Sequence, residues 1–184
     1  MKILKRFRSE DSGASTVEFV ILFPILLVLC FAGIEGGWLM TRFMLVERGV
    51  DIAMRDVRLG VIENPSYDDL RDRICEMSSN IVKDCEQNLV LSTQVLAQSE
   101  TVDPAPAPCF DRTATEEELE EFNPADGHNS GSGSQIVVVK VCAVVDPIFS
   151  LLDFTSHFGL DESGGFRIRT KTAFLHEPYE TDVE

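Results

Sequence analysis

The chain has 184 residues, 44% of them hydrophobic, and a formal charge of −15. This length predicts one compact domain preceded by an N-terminal segment of different character. A body this acidic argues against a surface that binds nucleic acid or anionic lipid headgroups. The charge is unevenly distributed: residues 1–13 carry four basic and two acidic side chains, so their removal would change the formal charge from −15 to −17.

An uncharged run follows this basic tag. The sixteen residues from Phe19 to Ile34 carry no charge, and as a helix they would be about 24 Å long. The wider stretch between Glu18 and Arg42 would reach about 35 Å, enough to cross a hydrocarbon core of about 30 Å. Because the basic residues precede it, we expect the N-terminus in the cytoplasm and the acidic body outside.

Three kinds of N-terminal segment contain such a run. A cleaved secretory signal has a shorter apolar run followed by a small-residue cleavage site, and no such site follows here. A lipoprotein signal ending at Cys30 requires a small residue before the cysteine, where this chain has Leu29. The third kind is a retained helix that is cleaved before its apolar run, and it is the one that accounts for the residues around Glu18.

The motif before the apolar run consists of Gly13, four residues, and then Glu18 and Phe19. It resembles the class III signal of the type IV pilin superfamily, most closely that of the tight-adherence (Tad/Flp) branch. Phe19 stands where the major Flp pilin usually has Tyr. The resemblance implies cleavage by a prepilin peptidase after Gly13, with Ala14 as the new N-terminus.

The rest of the chain resembles the TadE-like minor pseudopilins of that branch. The resemblance runs through residues 23–27 and into a helix at 47–60, and returns faintly at 174–179, while residues 62–165 contain no matching motif. It implies a pilin-like α+β fold, with a long helix packed on a small antiparallel sheet. It also implies that the Glu18 carboxylate meets the N-terminal amine of a neighbouring subunit.

A carboxylate at the edge of the hydrocarbon core indicates a functional site. Here we expect Glu18 to set the register in which neighbouring helices pack. The alternative is that Glu18 only extends to the membrane interface. Pro24 removes one backbone hydrogen bond, so we expect the helix to be kinked or locally loosened at this position. Gly33 and Gly37 form a G-x-x-x-G spacing, which suits close helix packing but is frequent by chance in apolar helices.

Apolar residues recur at steps of three and four from Phe43 to Val61, which predicts that the helix continues to about residue 62 with an amphipathic second half. We therefore divide the chain into a cytoplasmic leader at 1–13, a transmembrane stem at 14–42 and a globular α+β domain at 43–184.

The globular domain contains one further helix and three candidate strands. Ser66 is a candidate N-cap for a helix at about 67–82. The strands are expected at 89–96, 135–145 and 167–175, in an antiparallel sheet of three or four strands. Residues 99–108 are Pro-rich and predict an extended loop.

Five cysteines are present, and one of them, Cys30, lies in the apolar run. The other four fall in the part expected outside, where an even number indicates two disulfides. Four cysteines allow three pairings. We favour Cys75–Cys85, which closes a short loop, and Cys109–Cys142, which would tie the Pro-rich loop to the central strand.

The sequence contains no motif for an enzyme, a cofactor or a metal site. The glycines at 127–133 lack the strand–helix context of a phosphate loop, and no nucleophile elbow is present. Asp111 and the acidic run at 116–121 could gather a calcium ion, but the EF-hand spacing is absent and a solvated acidic loop is favoured.

Two hypotheses of function follow. The first is a minor pseudopilin that takes part in the initiation, assembly or tip of a tight-adherence pilus. The resemblance implies as partners a prepilin peptidase, a TadF-like pseudopilin, the major Flp pilin, the inner-membrane assembly platform and membrane lipid, and no nucleic acid. The second is an uncleaved single-span envelope protein whose acidic outer domain binds an extracellular ligand. A type II secretion pseudopilin shares the stem, but normally has Phe or Met where this chain has Ala14.

Overall fold

The computed structural model describes residues 12–62, 65–79, 81–96, 101–115, 125, 128–129, 135–149 and 160–176. The chain divides into two compact units, Met1–Trp38 and Leu39–Glu184. Several sequence predictions lie wholly or largely outside the described residues: the leader before residue 12, the acidic run at 116–121, the glycines at 127–133 and the end of the family resemblance at 177–179.

One continuous helix, α1 (Ser12–Arg58), contributes to both units. Its first part is apolar on every side and contains Pro24. Its second part is amphipathic, with Val46, Val50 and Ala53 fully or almost fully buried while Glu47 is exposed. The prediction of one long helix with an apolar and an amphipathic half is confirmed.

Helix α1 ends four residues earlier than the sequence pattern suggested. Gly60 has a φ of +71°, and its N–H donates to the Val57 carbonyl at 3.1 Å, while the Val61 N–H donates to the Asp56 carbonyl at 2.9 Å. This pair of bonds is the Schellman arrangement, in which a left-handed glycine stops the helix. The apolar periodicity continues past the stop, which is why it placed the end at about residue 62.

The second helix, α2 (Tyr67–Met77), begins with a complete capping box. The Asp69 N–H donates to Ser66 Oγ at 3.2 Å, and the Ser66 N–H donates to the Asp69 carboxylate at 3.1 Å. The predicted N-cap is confirmed, but the helix stops at Met77 rather than near residue 82. There the buried Ser78 hydroxyl donates to the Ile74 carbonyl at 2.7 Å, and Ser79 has a positive φ of 58°.

A short helix, α3 (Cys85–Asn88), leads into a three-stranded antiparallel sheet. Its strands are β1 (Leu89–Leu96), β2 (Gln135–Val145) and β3 (Phe166–His176), and β2 lies in the centre. The predicted bounds of β1 and β2 are confirmed, and β3 is one residue longer at each end than predicted.

The core of the second unit lies on one face of this sheet. Alternate residues of β2 from Val137 to Val145 belong to a single buried cluster with the amphipathic half of α1 and with Leu70 and Ile74 of α2. The sequence and the structure therefore agree on an α+β architecture.

Candidate functional site

The predicted processing site lies at the start of α1. The helix begins at Ser12, so the Gly13–Ala14 peptide bond lies in its first turn. Backbone N–H groups in a first turn have no intrahelical acceptor, and helix ends open at little cost in free energy. The Gly13–Ala14 bond therefore lies in the first turn of α1 that the structure describes.

Glu18 is exposed on α1, one helical turn after Ala14. Residues four apart share a helix face, so an amine created at Ala14 would lie on the same face as the Glu18 carboxylate. A positive charge at a helix N-terminus is disfavoured by the helix dipole. A nearby carboxylate, from the same chain or from a neighbouring one, would offset that repulsion.

The turns after Glu18 present large apolar side chains to the outside. Phe19 is 62% exposed and Leu29 is 68% exposed. The most apolar 18-residue window of this helix has a mean hydropathy of 2.7, and none of the window is buried within the protein. Length and composition thus make α1 a candidate membrane span, although a signal sequence near an N-terminus has the same properties. An exposed surface this apolar indicates contact with lipid or with other helices.

Within this region Pro24 lies inside the helix without ending it. The rings of Phe19 and Phe23 stack one turn apart, with centroids separated by 5.2 Å. A Cβ added at Gly33 or Gly37 would meet no atom within 4 Å. The two glycines therefore leave a flat, open strip on one helix face, which is the geometry that close helix approach requires.

Within the second unit, α1 and α2 also make a close contact at a glycine. A Cβ at Gly49 would clash with Ser78 Oγ and would lie 2.9 Å from the Ile74 carbonyl oxygen. Beside this contact, the Arg73 guanidinium donates two hydrogen bonds to the Asp56 carboxylate, at 2.9 and 2.7 Å. The sequence analysis did not identify Gly49 as a packing residue, because its signal is only a glycine on the buried side of an amphipathic helix.

Both predicted disulfides are present. Cys75 and Cys85 join the end of α2 to the start of α3, with a Cα–Cα distance of 5.9 Å. Cys109 and Cys142 join the loop after the Pro-rich stretch to the centre of β2, with a Cα–Cα distance of 5.2 Å. These are the pairings that the sequence favoured. Cys30 is a free, exposed cysteine on α1.

The Cys109–Cys142 disulfide holds residues 101–115, which we call the cover segment, on the side of the sheet opposite the core. Lys140 supports the same contact from β2: its side chain is 7% exposed, and its Nζ donates to the carbonyl oxygens of Asp103 and Ala105, both at 2.8 Å. A buried ammonium is tolerated only with such partners. Lys140 is the only charged residue in β2, and that was the signal that could have identified it.

Arg112 supports the other end of the cover segment. Its guanidinium donates to the Val144 carbonyl at 3.0 Å and to the Asn88 side chain at 2.8 Å, and it pairs with Asp146. Nearby, Asp111 accepts hydrogen bonds from the Thr113 hydroxyl and N–H at 2.7 and 2.8 Å, and these bonds hold the pKa of Asp111 below its usual value.

His128 connects the loop before β2 to other elements of the domain. One ring nitrogen lies 3.1 Å from the Pro65 carbonyl and the other 3.5 Å from the Thr93 hydroxyl. Its ring meets the Tyr67 ring edge-on at 6.1 Å, and burial raises the pKa of Tyr67. His128 thus serves as a bridge between loop and sheet.

The calcium hypothesis involved Asp111 and residues 116–121. Within the described ranges, no three His, Cys, Asp or Glu side chains are grouped so that they could hold a metal ion. Residues 116–121 lie outside those ranges, and one oxygen of the Asp111 carboxylate, Oδ1, accepts both hydrogen bonds from Thr113.

Comparison with known proteins identifies the N-terminal part of the chain. The family model described as "TadE-like protein" matches residues 13–55. No curated protein and no solved structure matches the chain. The matched residues begin at Gly13 and include Glu18, the apolar run and the first part of the amphipathic half of α1. The family supports association with a Tad pilus system in general, and a single apolar N-terminal helix fits a single-pass membrane protein of such a system. The resemblance recognised from sequence is therefore confirmed over residues 13–55, where the chain matches the TadE-like family.

Proposed function

We propose that this protein is a minor pseudopilin that takes part in the initiation, assembly or tip of a tight-adherence pilus. The observation that carries the proposal is the TadE-like match at residues 13–55. The matched range contains Gly13, Glu18 and an apolar helical run, from Val17 to Leu29, whose large side chains are mostly exposed. A helix of this kind gains free energy by moving from water into lipid, or from lipid into a bundle of similar helices.

The proposed location is the bacterial inner membrane, with the N-terminus in the cytoplasm and the globular domain in the periplasm. Two features support this orientation. The basic residues precede the apolar run, as the positive-inside rule expects. Both disulfides lie in the domain after it, and disulfides persist in oxidising compartments. From this position the mature protein could enter an extracellular pilus.

Processing after Gly13 would prepare the helix for assembly. It removes the basic tag and creates an α-ammonium group at Ala14, close to the low-dielectric region where the Glu18 carboxylate lies. An ion pair between two subunits is strongest in such surroundings. Glu18 would then set the register between neighbouring helices, with Pro24 easing local bending and the open strip at Gly33 and Gly37 allowing close approach.

The partners in this proposal follow from the family resemblance. They are a prepilin peptidase, a TadF-like pseudopilin, the major Flp pilin and the inner-membrane assembly platform. The role is structural rather than enzymatic, and it needs no cofactor.

The test is N-terminal sequencing of the protein purified from its native host, with and without the candidate prepilin peptidase. We expect a mature chain that begins at Ala14 only when the peptidase is present. A chain that still begins at Met1, or one cut beyond Cys30, would overturn the proposal and leave the membrane-anchored or secreted binding protein as the better explanation.

The role of Glu18 is tested separately with Glu18→Ala. We expect normal cleavage but loss of incorporation into pili, measured by the ratio of sheared to membrane-bound protein. Glu47→Ala is the matched control, because Glu47 is an exposed carboxylate on the same helix beyond the apolar run. Normal incorporation of Glu18→Ala would contradict the register role.

A further inference from the structure

Strand β3 forms one edge of the sheet. The strand order is β1-β2-β3, and β3 is 11 residues long and paired with β2 along its whole length. In the parts of the chain that the structure describes, no strand pairs with its other side. Every second residue of such an edge directs its backbone N–H and C=O away from the sheet, so β3 offers a long row of hydrogen-bonding groups to an added strand.

The side chains on the outer face of β3 give this edge a distinct charge. Arg167, Arg169 and Lys171 alternate along the strand and are all exposed. Arg167 lies 3.7 Å from the buried Asp161 carboxylate, whereas Arg169 and Lys171 form no ion pair with any described residue. Both border an open cleft of about 260 Å³ beside the cover segment. Two cations with no ion pair to a described residue stand out on one strand of a protein with a formal charge of −15.

The same face becomes apolar toward the end of the strand. Ala173 is exposed, and Leu175 is 44% exposed and pairs in register with Ile136, which is 47% exposed. The edge therefore has a direction: a basic half is followed by an apolar half.

We propose that β3 is a docking strand that adds an extended acidic segment of a partner protein to the sheet. Backbone hydrogen bonds along the edge would supply affinity, and side chains at alternate positions would supply specificity. The segment that fits carries Glu or Asp at the alternate positions beside Arg169 and Lys171, and aliphatic residues at those beside Ala173 and Leu175.

A second copy of this chain fits the edge poorly. Antiparallel pairing of two whole β3 strands about a two-fold axis centred on residue 171 would place Lys171 opposite Lys171 of the other copy and Arg169 opposite Ala173. Like charges directly opposite each other are destabilising, and no carboxylate would face Arg169. Charge complementarity therefore favours a different, acidic occupant. The inference requires neither cleavage after Gly13 nor a pilus, so its failure would leave the proposed function unaffected.

The test uses the full chain in uncharged detergent micelles and two fluorescent peptides, followed by fluorescence anisotropy at about 150 mM salt. One peptide is Glu-Thr-Glu-Thr-Glu-Thr-Val-Thr-Val, for parallel addition, and the other is its reverse, for antiparallel addition. We expect saturable binding of one of them and at least about tenfold weaker binding of the same peptide with Lys in place of Glu. Absence of binding by both acidic peptides would overturn the proposal.

Two comparisons separate strand addition from simple charge attraction. One modified peptide is N-methylated at every Thr, and the other at every remaining residue. Each modification removes the backbone N–H donors along one edge of the extended peptide. Since only one edge can pair with β3, only one of the two modified peptides should lose binding. The Arg169→Glu/Lys171→Glu variant should bind at least about tenfold more weakly. The matched control, Arg48→Glu/Lys83→Glu, makes the same charge change at exposed sites outside the sheet and should bind as the unmodified protein does.

Three results would contradict the inference. They are equal binding by both methylated peptides, equal weakening by the two charge-reversed variants, and concentration-dependent self-association that depends on Arg169 and Lys171. The first two would assign the binding to net charge alone, and the third would assign the edge to a second copy.

Discussion

The two parts of helix α1 differ in what covers their side chains, although the backbone is one continuous helix from Ser12 to Arg58. In the first part, large residues from Val17 to Leu29 are exposed on every side. In the second part, Val46, Val50 and Ala53 are buried in the core of the domain. Helix formation alone therefore does not distinguish the two parts.

The difference lies in where the stabilising contacts are made. The domain residues of α1 gain free energy from burial against the sheet and α2, and two disulfides and several buried polar contacts reinforce that packing. The first unit contains no comparable cluster among its described residues, so its apolar surface is available for lipid or other helices. Substitutions in the two parts should consequently affect different measurements.

The largest expected effect comes from removing the Cys109–Cys142 disulfide by Cys109→Ala with Cys142→Ala. This bond closes a loop with a sequence separation of 33, and its loss should lower the free energy of unfolding of the domain by about 3–4 kcal/mol. Urea denaturation of the full chain in micelles, with hydrogen exchange of the β2 amides, measures the loss. Exchange in the first turns of α1 should stay unchanged.

Cys30→Ala is the control for this experiment, because Cys30 is a free, exposed cysteine in the first unit. It should leave domain unfolding as it is. An unchanged unfolding midpoint in the disulfide variant would show that the cover segment contributes little to domain stability.

The same Gly→Ala substitution in each part of α1 should change domain stability by less than loss of the disulfide, and it compares the two parts directly. Gly49→Ala forces a Cβ against Ser78 and the Ile74 carbonyl, which should destabilise the domain by about 1–3 kcal/mol. Gly33→Ala meets no atom within 4 Å and should leave domain unfolding unchanged. Thermal unfolding of both variants measures the difference. Equal effects would mean that the two parts of α1 are not stabilised independently.

The smallest expected effect is at the start of α2. Ser66→Ala removes the N-cap and should cost about 1 kcal/mol of domain stability, whereas Ser66→Thr should retain most of it. The Ser66 side chain, and then its backbone N–H, hold the pKa of Asp69 below its usual value. A lowered folded-state pKa stabilises the fold above the unfolded pKa of about 3.9, and this stabilisation is lost as the pH falls through the folded value.

The difference in stability between the unmodified protein and Ser66→Ala should therefore be largest near neutral pH and shrink below about pH 4. Urea denaturation at a series of pH values measures it. A difference that stays constant down to pH 2 would show that the Asp69 charge has no part in the cap.

Several features were predictable because a short stretch of sequence encodes them. The β-branched run at 135–145 predicted β2 with its observed bounds, since Val and Ile favour strands and polar, Gly/Ser-rich residues precede them. Ser66, as a candidate N-cap, predicted the start of α2. Gly13, Glu18 and the uncharged run predicted the TadE-like match, because the motif and the helix length are both local properties.

The features that were missed depend on contacts between distant residues, or on a stop signal within a periodic pattern. Apolar periodicity continued beyond Arg58, and only the backbone bonds around Gly60 ended the helix. A lysine is unfavourable in a buried strand unless its ammonium group has hydrogen-bond acceptors. For Lys140 these acceptors are the carbonyl oxygens of Asp103 and Ala105, which only the folded chain brings next to it.

The sequence by itself thus determined the apolar span, the strands and the acidic character of the domain. It also favoured the observed disulfide pairing over the two other pairings that four cysteines allow. Among the described residues, the tertiary structure alone decided which strand lies at the sheet edge, which glycine touches a neighbouring helix and which cations of β3 form no ion pair. The physical reason is that propensity, capping and periodicity act within a few residues of the chain. Strand order and side-chain pairing instead depend on segments that lie far apart in sequence and meet only when the core forms.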